Sequence, residues 1–392
     1  MKKDWTYKKL GEVGEVIGGT TPSTSNPAFW NGDLCWISPA ELHGEHYLYD
    51  SVKKITREAV KAKSLKRLPV GTVILSSRAP IGKLAINKVP MYCNQGFKCV
   101  VCGKELYNEY LYWWFYFKKD YLNSLGTGAT FPEISKSVVE NIEIPLPPLS
   151  EQSRIVSRLD AAFGEIEGLK AKAEAQLSEA RTLFQAALTK EMKPKQGWEE
   201  KKLKEIGTTQ TGTTPSKNDK DNYGDFIPFI RPSEIDYDGC GGLKYDSEIK
   251  LSEKGLSNGR LFKAGSILMV CIGATISKVG VTSEDVSCNQ QINVLKPKQE
   301  YDSKFIYYAM RNEDFKQKVI KEGTSSQATL PIINKGKWEN LSLSLPPLPV
   351  QQSIVSRLDA LSEKVRELEE AQKKVIAECD ALKQALLREV FE

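Results

Sequence analysis

One segment of sixteen residues occurs twice in this chain, 199 residues apart. Its copies are Leu146–Ala161 (LPPLSEQSRIVSRLDA) and Leu345–Ala360 (LPPLPVQQSIVSRLDA). Proline lacks a backbone N–H and has a fixed φ, so the proline pair is predicted to end a preceding strand. Apolar residues then recur at alternating spacings of four and three. This pattern is typical of a long helix that packs against another helix.

The predicted packing face of each long helix is a heptad seam. The seam has ten positions in each helix, and nine of the ten are apolar. Its main residues are Ile155, Leu159, Ile166, Leu169 and Leu183 in the first helix and Ile354, Leu358, Val365, Leu368 and Leu382 in the second. One such helix alone would leave an apolar stripe in water. The sequence therefore predicts that the two helices pair with each other.

The similarity between the two halves extends beyond the helices. The corresponding segments are Trp5–Gly14 and Trp198–Gly207, Gly19–Ser23 and Gly212–Ser216, Gly71–Leu75 and Gly265–Met269, Cys93–Gln95 and Cys288–Gln290, and Ala129–Pro132 and Ala328–Pro331. We interpret the chain as a tandem duplication. We expect a globular α+β part over residues 1–148, a long helix over 149–194, a second globular part over 195–347 and a second long helix over 348–392. The aromatic segment 108–117 is predicted to be a buried helix.

Composition indicates a soluble protein of two or more domains. The chain has 392 residues, 40% of them hydrophobic and 27% charged, with a net charge of +5, which is compatible with nucleic acid binding. The sequence predicts no membrane span and no secretion signal, so we expect a cytoplasmic protein with reduced cysteines. Cys99 and Cys102 form a lone CxxC without a second pair, and no metal site is expected.

Patterns that mark common catalytic sites do not occur in this sequence. There is no phosphate-binding Gly-x-x-x-x-Gly-Lys-Ser/Thr loop and no Asn/Asp-Pro-Pro-Tyr/Phe segment of amino-methyltransferases. The histidines are His43 and His46, both in the first half, so a Ser-His-Asp set is impossible in the second half. We therefore predict no catalytic residues.

The arrangement of motifs resembles the specificity (S) subunit of type I restriction-modification enzymes. Both halves open with Trp and Gly-Thr-Thr-Pro. Both close with the motif that begins Ile144-Pro-Leu-Pro-Pro-Leu149 and continues through Gln152, Ile155 and Val156. The resemblance covers essentially the whole chain, although Val350 stands where the first half has Glu151.

This resemblance implies a function and a set of partners. Residues 1–148 and 195–347 would be target recognition domains, each reading one half of a bipartite target in double-stranded DNA. The helices over 149–194 and 348–392 would pair antiparallel with pseudo-twofold symmetry and set the spacing between the half-sites. This chain would hold no cofactor. It would dock two modification subunits, which methylate adenine with S-adenosylmethionine, and restriction subunits, which use ATP and Mg²⁺.

Residues that are identical in both halves cannot by themselves make the two domains read different sequences. We predict that they contact phosphates, dock partners or maintain the fold. They are Thr20, Thr21 and Ser23 with Thr213, Thr214 and Ser216, Lys83 with Lys278, and Asn94 and Gln95 with Asn289 and Gln290. Turn formation is an equally open interpretation of the Thr-Thr-Pro-Ser segments.

Residues that differ within otherwise similar segments are the better candidates for reading bases. Ser38 stands where the second half has Arg231, and arginine is the commonest reader of guanine. Arg78 has no charged counterpart. The loop that contains Thr127 gains Ser325, Ser326 and Gln327 in the second half, and glutamine suits adenine. Ordinary surface divergence is the alternative at each position.

Two other functions stay open at this point. The first is a coiled-coil assembly scaffold without DNA specificity, and the second is a stand-alone DNA-modifying enzyme. A variant of the main interpretation is a specificity subunit whose gene recombines at its repeats.

Overall fold

The computed structural model describes residues 5–78, 80–128, 132–236, 242–246, 249–324 and 330–392. The chain forms two compact units. Unit 1 comprises Met1–Lys172 and Val375–Glu392, and unit 2 comprises Ala173–Lys374. Each unit therefore contains the first part of one long helix and the last part of the other.

The first repeat consists of strands β1–β10 and helices α1–α6. The strands are β1 Thr6–Lys9, β2 Gly14–Gly18, β3 Trp30–Ile37, β4 Tyr47–Leu48, β5 Lys53–Ile55, β6 Val73–Leu75, β7 Leu84–Asn87, β8 Met91–Cys93, β9 Lys98–Cys102 and β10 Glu143–Leu146. The helices are α1 Leu10–Val13, α2 Arg57–Lys63, α3 Asn108–Phe117, α4 Lys119–Ser124, α5 Lys136–Glu140 and α6 Leu149–Met192.

The second repeat consists of strands β11–β19 and helices α7–α12. The strands are β11 Glu199–Lys202, β12 Gly207–Thr211, β13 Tyr223–Ile230, β14 Lys250–Leu251, β15 Ile267–Val270, β16 Val279–Val281, β17 Ser287–Cys288, β18 Ile292–Pro297 and β19 Ser342–Leu345. The helices are α7 Leu203–Ile206, α8 Glu253–Ser257, α9 Ser303–Arg311, α10 Glu313–Thr324, α11 Lys335–Trp338 and α12 Leu348–Phe391.

The described strands follow the same order in both units, and unit 1 adds β4 at the edge of its first sheet. Unit 1 has sheets of order β2-β9-β6-β7-β4, β5-β3-β8 and β1-β10, and unit 2 has sheets of order β12-β18-β15-β16, β14-β13-β17 and β11-β19. In each unit the aromatic helix, α3 or α9, packs in the main hydrophobic core with the start of one long helix. The duplication seen in the sequence is thus a duplication of the fold.

Local side chains explain where several helices begin. Thr56 and Ser135 cap α2 and α5 by accepting a hydrogen bond from a backbone N–H one turn on. Ser252 and Asn334 cap α8 and α11 in the same way. The long helix α6 starts directly after the proline pair, and the carbonyl of Pro148 accepts hydrogen bonds from the first turn.

The long helices pair antiparallel within each unit. In unit 1, Arg158 bonds Glu389 at 2.7 Å and Lys170 bonds Asp380 at 2.9 Å, so one residue number rises as the other falls. In unit 2, Arg181 bonds Glu369 at 2.6 Å and Arg357 bonds Glu191 at 2.8 Å. These ion pairs fix the register of the two helices.

The buried face of α6 departs from the predicted heptad seam. Ile155, Leu159 and Ile166 are buried, but Leu169 and Leu183 are 54% and 61% exposed, and Phe184 is buried instead. An α-helix of 3.6 residues per turn drifts against a strict seven-residue repeat, which moves the buried face toward the following residue. The last turns of α6 also pack on the core of unit 2.

The same correction applies to α12. Ile354 and Leu358 are buried and Val365 is partly buried, whereas Leu368 and Leu382 are 37% and 50% exposed. The residue after each of these two leucines is buried instead, and these residues are Glu369 and Lys383. Each is charged and has an ion-pair partner on α6: Arg181 for Glu369 and Glu167 for Lys383. The pairing face thus includes charged groups where leucines were expected.

The repeated Leu-Asp dipeptide of each long helix anchors the aromatic helix. Asp160 accepts a hydrogen bond from the indole of Trp113 at 2.9 Å, and Asp359 accepts one from the hydroxyl of Tyr308 at 2.7 Å. Trp113 and Tyr308 occupy corresponding places on α3 and α9. The joint between globular part and helix is therefore built alike in both units.

Two further observations concern membrane and metal sites. None of the helices in the described part of the chain is long and apolar enough to cross a membrane. No group of three His, Cys, Asp or Glu residues within the described ranges is placed to hold a metal ion.

Burial raises the pKa of the Cys102 thiol to about 12 and that of Cys271 to about 11, which keeps both protonated at neutral pH.

Candidate nucleic-acid interface

The two turns of unit 1 that recur in the second half of the sequence lie against each other. The backbone N–H of Thr20 donates to the carbonyl of Cys93 at 2.9 Å, and the hydroxyl of Thr21 donates to the side-chain carbonyl of Gln95. A Cβ atom at Gly19 would collide with the carbonyl oxygens of Cys93 and Asn94. Glycine is therefore required for this close approach of the two turns.

Unit 2 builds the same contact. Thr213 donates to the carbonyl of Cys288 at 2.9 Å, and Thr214 donates to the side chain of Gln290. A Cβ atom at Gly212 would again collide with carbonyl oxygens of the facing turn. The structure thus brings together the predicted Thr-Thr and Asn-Gln segments and gives them internal hydrogen bonds. Their contact with phosphate stays a prediction.

The position that differs between the repeats lies next to this turn contact. The N–H of Asn94 donates to the carbonyl of Ile37, which precedes Ser38, and the N–H of Asn289 donates to the carbonyl of Ile230, which precedes Arg231. Both positions start a 3₁₀ turn that ends in glutamate, at Glu41 or Glu234. The local backbone structure is therefore the same in both units, whereas the side chain differs between Ser38 and Arg231.

Glu234 holds the Arg231 side chain in place. The guanidinium donates to both carboxylate oxygens, at 2.6 and 3.2 Å, and the backbone N–H of Arg231 adds a bond at 2.9 Å. Burial raises the pKa of Glu234, but these hydrogen bonds outweigh it, so the pKa lies below its ordinary value. Ser38 makes the corresponding contact to Glu41 at 3.3 Å. Arg231 is thus an oriented cation.

A cavity of about 640 Å³ opens beside Arg231 in unit 2. Four of the predicted residues line it, namely Thr214, Arg231, Asn289 and Gln290, together with the rings of Tyr223 and Phe229 and the side chains of Lys217 and Lys250. Amides, cations and aromatic rings are the groups that bind base edges, phosphates and base faces.

Two tryptophans occupy the corresponding positions in unit 1. Trp30 and Trp36 stand where unit 2 has Tyr223 and Phe229, and their rings are perpendicular with centroids 5.1 Å apart. Their indole N–H groups donate to the carbonyls of Ser23 and Thr20 at 3.0 and 3.2 Å. The larger rings thus pack beneath the Gly19–Ser23 turn.

A second cluster of predicted residues in unit 1 is centred on Glu133. Its carboxylate accepts hydrogen bonds from Arg78 at 2.8 Å and Lys98 at 3.2 Å, and its backbone pairs with Thr127. Lys98 also donates to the carbonyl of Gln95 at 3.4 Å, which connects this cluster to the turn contact. Burial raises the pKa of Glu133, but the two cations outweigh it and lower the pKa overall. Sequence reasoning missed Lys98 and Glu133.

The two shared lysines have different surroundings. Lys83 donates to the carbonyls of Pro39 and Leu42 at 3.0 and 2.8 Å, so it fastens the 3₁₀ turn after Ser38 and is a poor candidate for phosphate contact. Lys278 lines a cavity of about 1010 Å³ in unit 2, together with Lys190, Lys193 and Lys316.

The remaining predicted residues are serines and one glutamine. The hydroxyl of Ser23 hydrogen-bonds that of Ser25 at 2.8 Å, and the carbonyl of Ser216 accepts from Asn222 at 3.1 Å. Both serines belong to the threonine turns. Ser325, Ser326 and Gln327 lie outside the residues that the structure describes.

His46 is a packed residue of unit 1. Its ring stacks on Tyr112 with centroids 3.8 Å apart, and its Nε2 atom lies 2.8 Å from the buried carboxylate of Glu109. The partner could not be foreseen because Glu109 is distant in sequence and belongs to α3.

Comparison with known protein families gives one consistent result. A family model described as "Type I restriction modification DNA specificity domain" matches residues 2–178 and 195–378. The MjaIX specificity subunit, from a type I restriction enzyme of Methanocaldococcus jannaschii, is 31% identical over 93% of this chain and 88% of its own length. The EcoR124I/EcoR124II specificity subunit of Escherichia coli is 35% identical over 39% of this chain and 40% of its own length.

Solved structures have the same fold. A chain of a type I R-M system, solved in work on its complex assembly and conformational transition, superposes with a TM-score of 0.77 at 22% identity. The superposition includes 98% of that chain and all of this chain. The HsdS subunit from Thermoanaerobacter tengcongensis gives a TM-score of 0.56 at 22% identity and is covered over 97% of its length.

Proposed function

Because the chain belongs to the family of type I restriction-modification DNA specificity subunits, we propose that each of its units reads one half of a bipartite DNA target. One observation carries this proposal. The same turn contact, Thr21 with Gln95 and Thr214 with Gln290, is built twice, and the side chains around it differ. A repeated backbone structure with different side chains suits two domains that bind different DNA sequences.

In unit 2 the proposed reader is the cavity beside Arg231. Arg231 would contact a base edge, because arginine pairs with guanine. The lysines at its rim, Lys217 and Lys250, would contact phosphates. In unit 1 the proposed readers are Ser38, Arg78 and Thr127.

Phosphate contacts are proposed for the cavity that Lys278 lines, where four lysines and Arg311 outnumber the carboxylates of Asp236 and Glu313. Lys190 and Lys193, from the end of the first long helix and its linker, line the same cavity as Lys278 and Lys316. Several lysines on one surface support backbone binding that positions DNA without reading it. Such binding weakens steeply as salt is raised.

The long helices are proposed to set the distance between half-sites and to dock partners. Leucines that the pairing leaves exposed recur at corresponding places in both helices, Leu169 with Leu368 and Leu183 with Leu382. Exposed apolar side chains at regular helical spacing suit the binding of another subunit. Two modification subunits are the proposed partners, with restriction subunits joining the complex.

Catalysis is assigned to those partners. The modification subunits would use S-adenosylmethionine to methylate adenine, and the restriction subunits would use ATP and Mg²⁺. This chain would contribute specificity alone, and the complex would act on DNA in the cytoplasm.

The test is target selection with the full chain and its modification subunits on random duplex DNA. Selection should recover two short defined sequences separated by a spacer of fixed length. Adding seven residues to both long helices, after Ala175 and after Lys374, should change the spacer and leave both half-sites unchanged. Recovery of no sequence preference would favour a coiled-coil scaffold without DNA specificity. Methylation by this chain alone would favour a stand-alone enzyme.

A further inference from the structure

The two units contain an equivalent β-bridge whose side chains are charged in unit 1 and apolar in unit 2. In unit 1 the bridge joins Arg78 to Glu133, and in unit 2 it joins Ile272 to Ile332. The adjoining backbone bond is also the same, since Ile134 donates to Ser77 at 3.0 Å and Ile333 donates to Cys271 at 2.9 Å. The geometry of the bridge is therefore shared, and only the side chains differ.

Every charged side chain of the cluster is replaced by an uncharged one in unit 2. Lys98, which completes the charged cluster in unit 1, is replaced in unit 2 by Asn293. Asn293 is buried and accepts a hydrogen bond from Thr211 at 2.8 Å. Unit 2 thus presents isoleucines where unit 1 presents an ion pair.

Part of this apolar cluster is exposed, whereas Ile272 is partly buried against the core of unit 2. Ile332 is 37% exposed and Leu330, two residues before it, is 58% exposed. Exposed isoleucine and leucine at one place suggest a binding surface, because apolar side chains in water gain free energy when they are covered.

This surface adjoins the proposed base-reading cavity. The N–H of Cys271 donates to the carbonyl of Gln291 at 2.8 Å, and Gln291 lines the cavity with Gln290. Ile272 follows Cys271 directly, so the isoleucine bridge begins one residue after a backbone hydrogen bond to a residue that lines the cavity. In unit 1 the corresponding hydrogen bond runs from the N–H of Ser77 to the carbonyl of Gly96, also at 2.8 Å.

We infer that Ile272 and Ile332 bind the 5-methyl group of a thymine in the half-site that unit 2 reads. Phosphates and most base edges are polar, and the thymine methyl is the apolar group that the major groove presents. An uncharged pair offers nothing to a phosphate. In unit 1 the same position holds Arg78 and Glu133, which suit hydrogen bonds to a base pair. This inference rests on the proposed DNA-reading function.

The experiment uses the full chain with its modification subunits and the target recovered by selection. The half-site that changes with Arg231→Lys is assigned to unit 2. Each thymine of both half-sites is then replaced singly by deoxyuridine, which removes only the methyl group. One position in the unit 2 half-site should bind about fourfold more weakly, the value expected for one covered methyl-sized group.

The same substitution is then repeated with variants. Ile332→Ala should bind the thymine target more weakly and should lose the difference between thymine and deoxyuridine. Ile332→Val, which keeps an apolar contact, should retain part of that difference. Leu261→Ala, which truncates a leucine 40% exposed elsewhere in unit 2, should leave it unchanged. Arg78→Ala should alter only the half-site of unit 1.

Two results overturn the inference. One is a deoxyuridine effect that is equal in wild type and Ile332→Ala, and the other is the absence of any effect in the unit 2 half-site. Either would leave the proposed function standing, because selection would still have recovered a bipartite target. Failure of selection itself would instead contradict the proposed function.

Discussion

The side-chain N–H of Gln351 donates a hydrogen bond to the carbonyl oxygen of Pro346, 2.8 Å away. The side-chain carbonyl of Gln351 accepts a hydrogen bond from the N–H of Asp302 at 2.9 Å, next to the aromatic helix. Gln152 makes the same two contacts in unit 1, with Pro147 and Tyr107, each at 2.8 Å. The glutamine of the repeated segment therefore connects the proline pair, the long helix and the globular part.

Replacing either glutamine should destabilise its own unit. Gln152→Ala and Gln351→Ala each leave a buried N–H and a buried carbonyl without a partner, at about 1–3 kcal/mol for each group. The free energy of unfolding, from urea denaturation, should fall by about 2–4 kcal/mol. Gln176→Ala, at an exposed site on the same helix as Gln152, is the control and should change it by less than about 0.5 kcal/mol. Equal effects of control and test variants would rule out the proposed joint.

The buried carboxylate of Glu369 should contribute to the free energy of unfolding. It is 2% exposed and bonds Arg181 at 2.6 Å. Glu369→Gln removes the charge that Arg181 pairs with and should lower the free energy of unfolding by about 1–3 kcal/mol. Glu370→Gln, at the exposed neighbouring residue, should have little effect. A Glu369→Gln protein as stable as wild type would show that this ion pair does not hold the register.

Arg231→Ala should relax recognition in one half-site only. A bidentate arginine contact to a base is worth about 1–3 kcal/mol of discrimination, or roughly fivefold to 150-fold. Methylation mapping with the modification subunits measures the change. Arg366→Ala, on the long helix α12, is the control and should leave both half-sites intact. Changes in both half-sites, or in neither, would exclude Arg231 as a reader.

Glu133 should give unit 1 a distinct stability profile in acid. Its pKa in the folded protein lies below the ordinary 4.5. Its contribution is therefore complete above that ordinary value and is lost as the pH falls through the lowered one. Wild type should exceed Glu133→Gln in urea midpoint near about pH 6, and the difference should shrink toward about pH 3.5. A difference that stays constant over this range would contradict the ion-pair assignment, and Glu143→Gln serves as the exposed control.

A circular permutant should fold. Trp5 and Phe391, close to the two ends of the chain, both pack on the hydrophobic core of unit 1. Joining the ends through a flexible linker and opening the chain after Pro194 keeps both compact units intact. The permutant should match the circular dichroism and melting temperature of wild type. If no linker in a graded series of lengths gave folded protein, this placement of the ends would be wrong.

The repeat allowed much of the fold to be predicted, since each feature could be checked against its counterpart. The helix over 108–117 and the two long helices, Leu149–Met192 and Leu348–Phe391, were found as expected. The heptad seam was wrong at four leucines, which are exposed. A strict seven-residue repeat does not take into account that an α-helix has 3.6 residues per turn, or that the ends of the helices pack on the globular cores. Sheet order was not predictable, as it depends on pairing between distant strands.

The candidate site was predicted in part. Comparison of the repeats identified Arg231, Gln290 and Arg78, but not the groups that hold them. Glu133 is 55 residues from Arg78 and 35 from Lys98, so no local pattern links them. Trp30 and Trp36 were missed for the same reason, because the carbonyls that bind their indoles become neighbours only after folding.

Leu387 and Val390 belong to the core of unit 1, and Leu188 and Met192 belong to that of unit 2. Each core is thus completed by the end of the other repeat's helix. A chain cut to a single repeat would lack the segment that closes its own core. Two such half-length chains would meet this need by exchanging helices, and the resulting domain-swapped homodimer would recognise a palindrome. Duplication followed by divergence is then a direct route from a symmetric target to an asymmetric one.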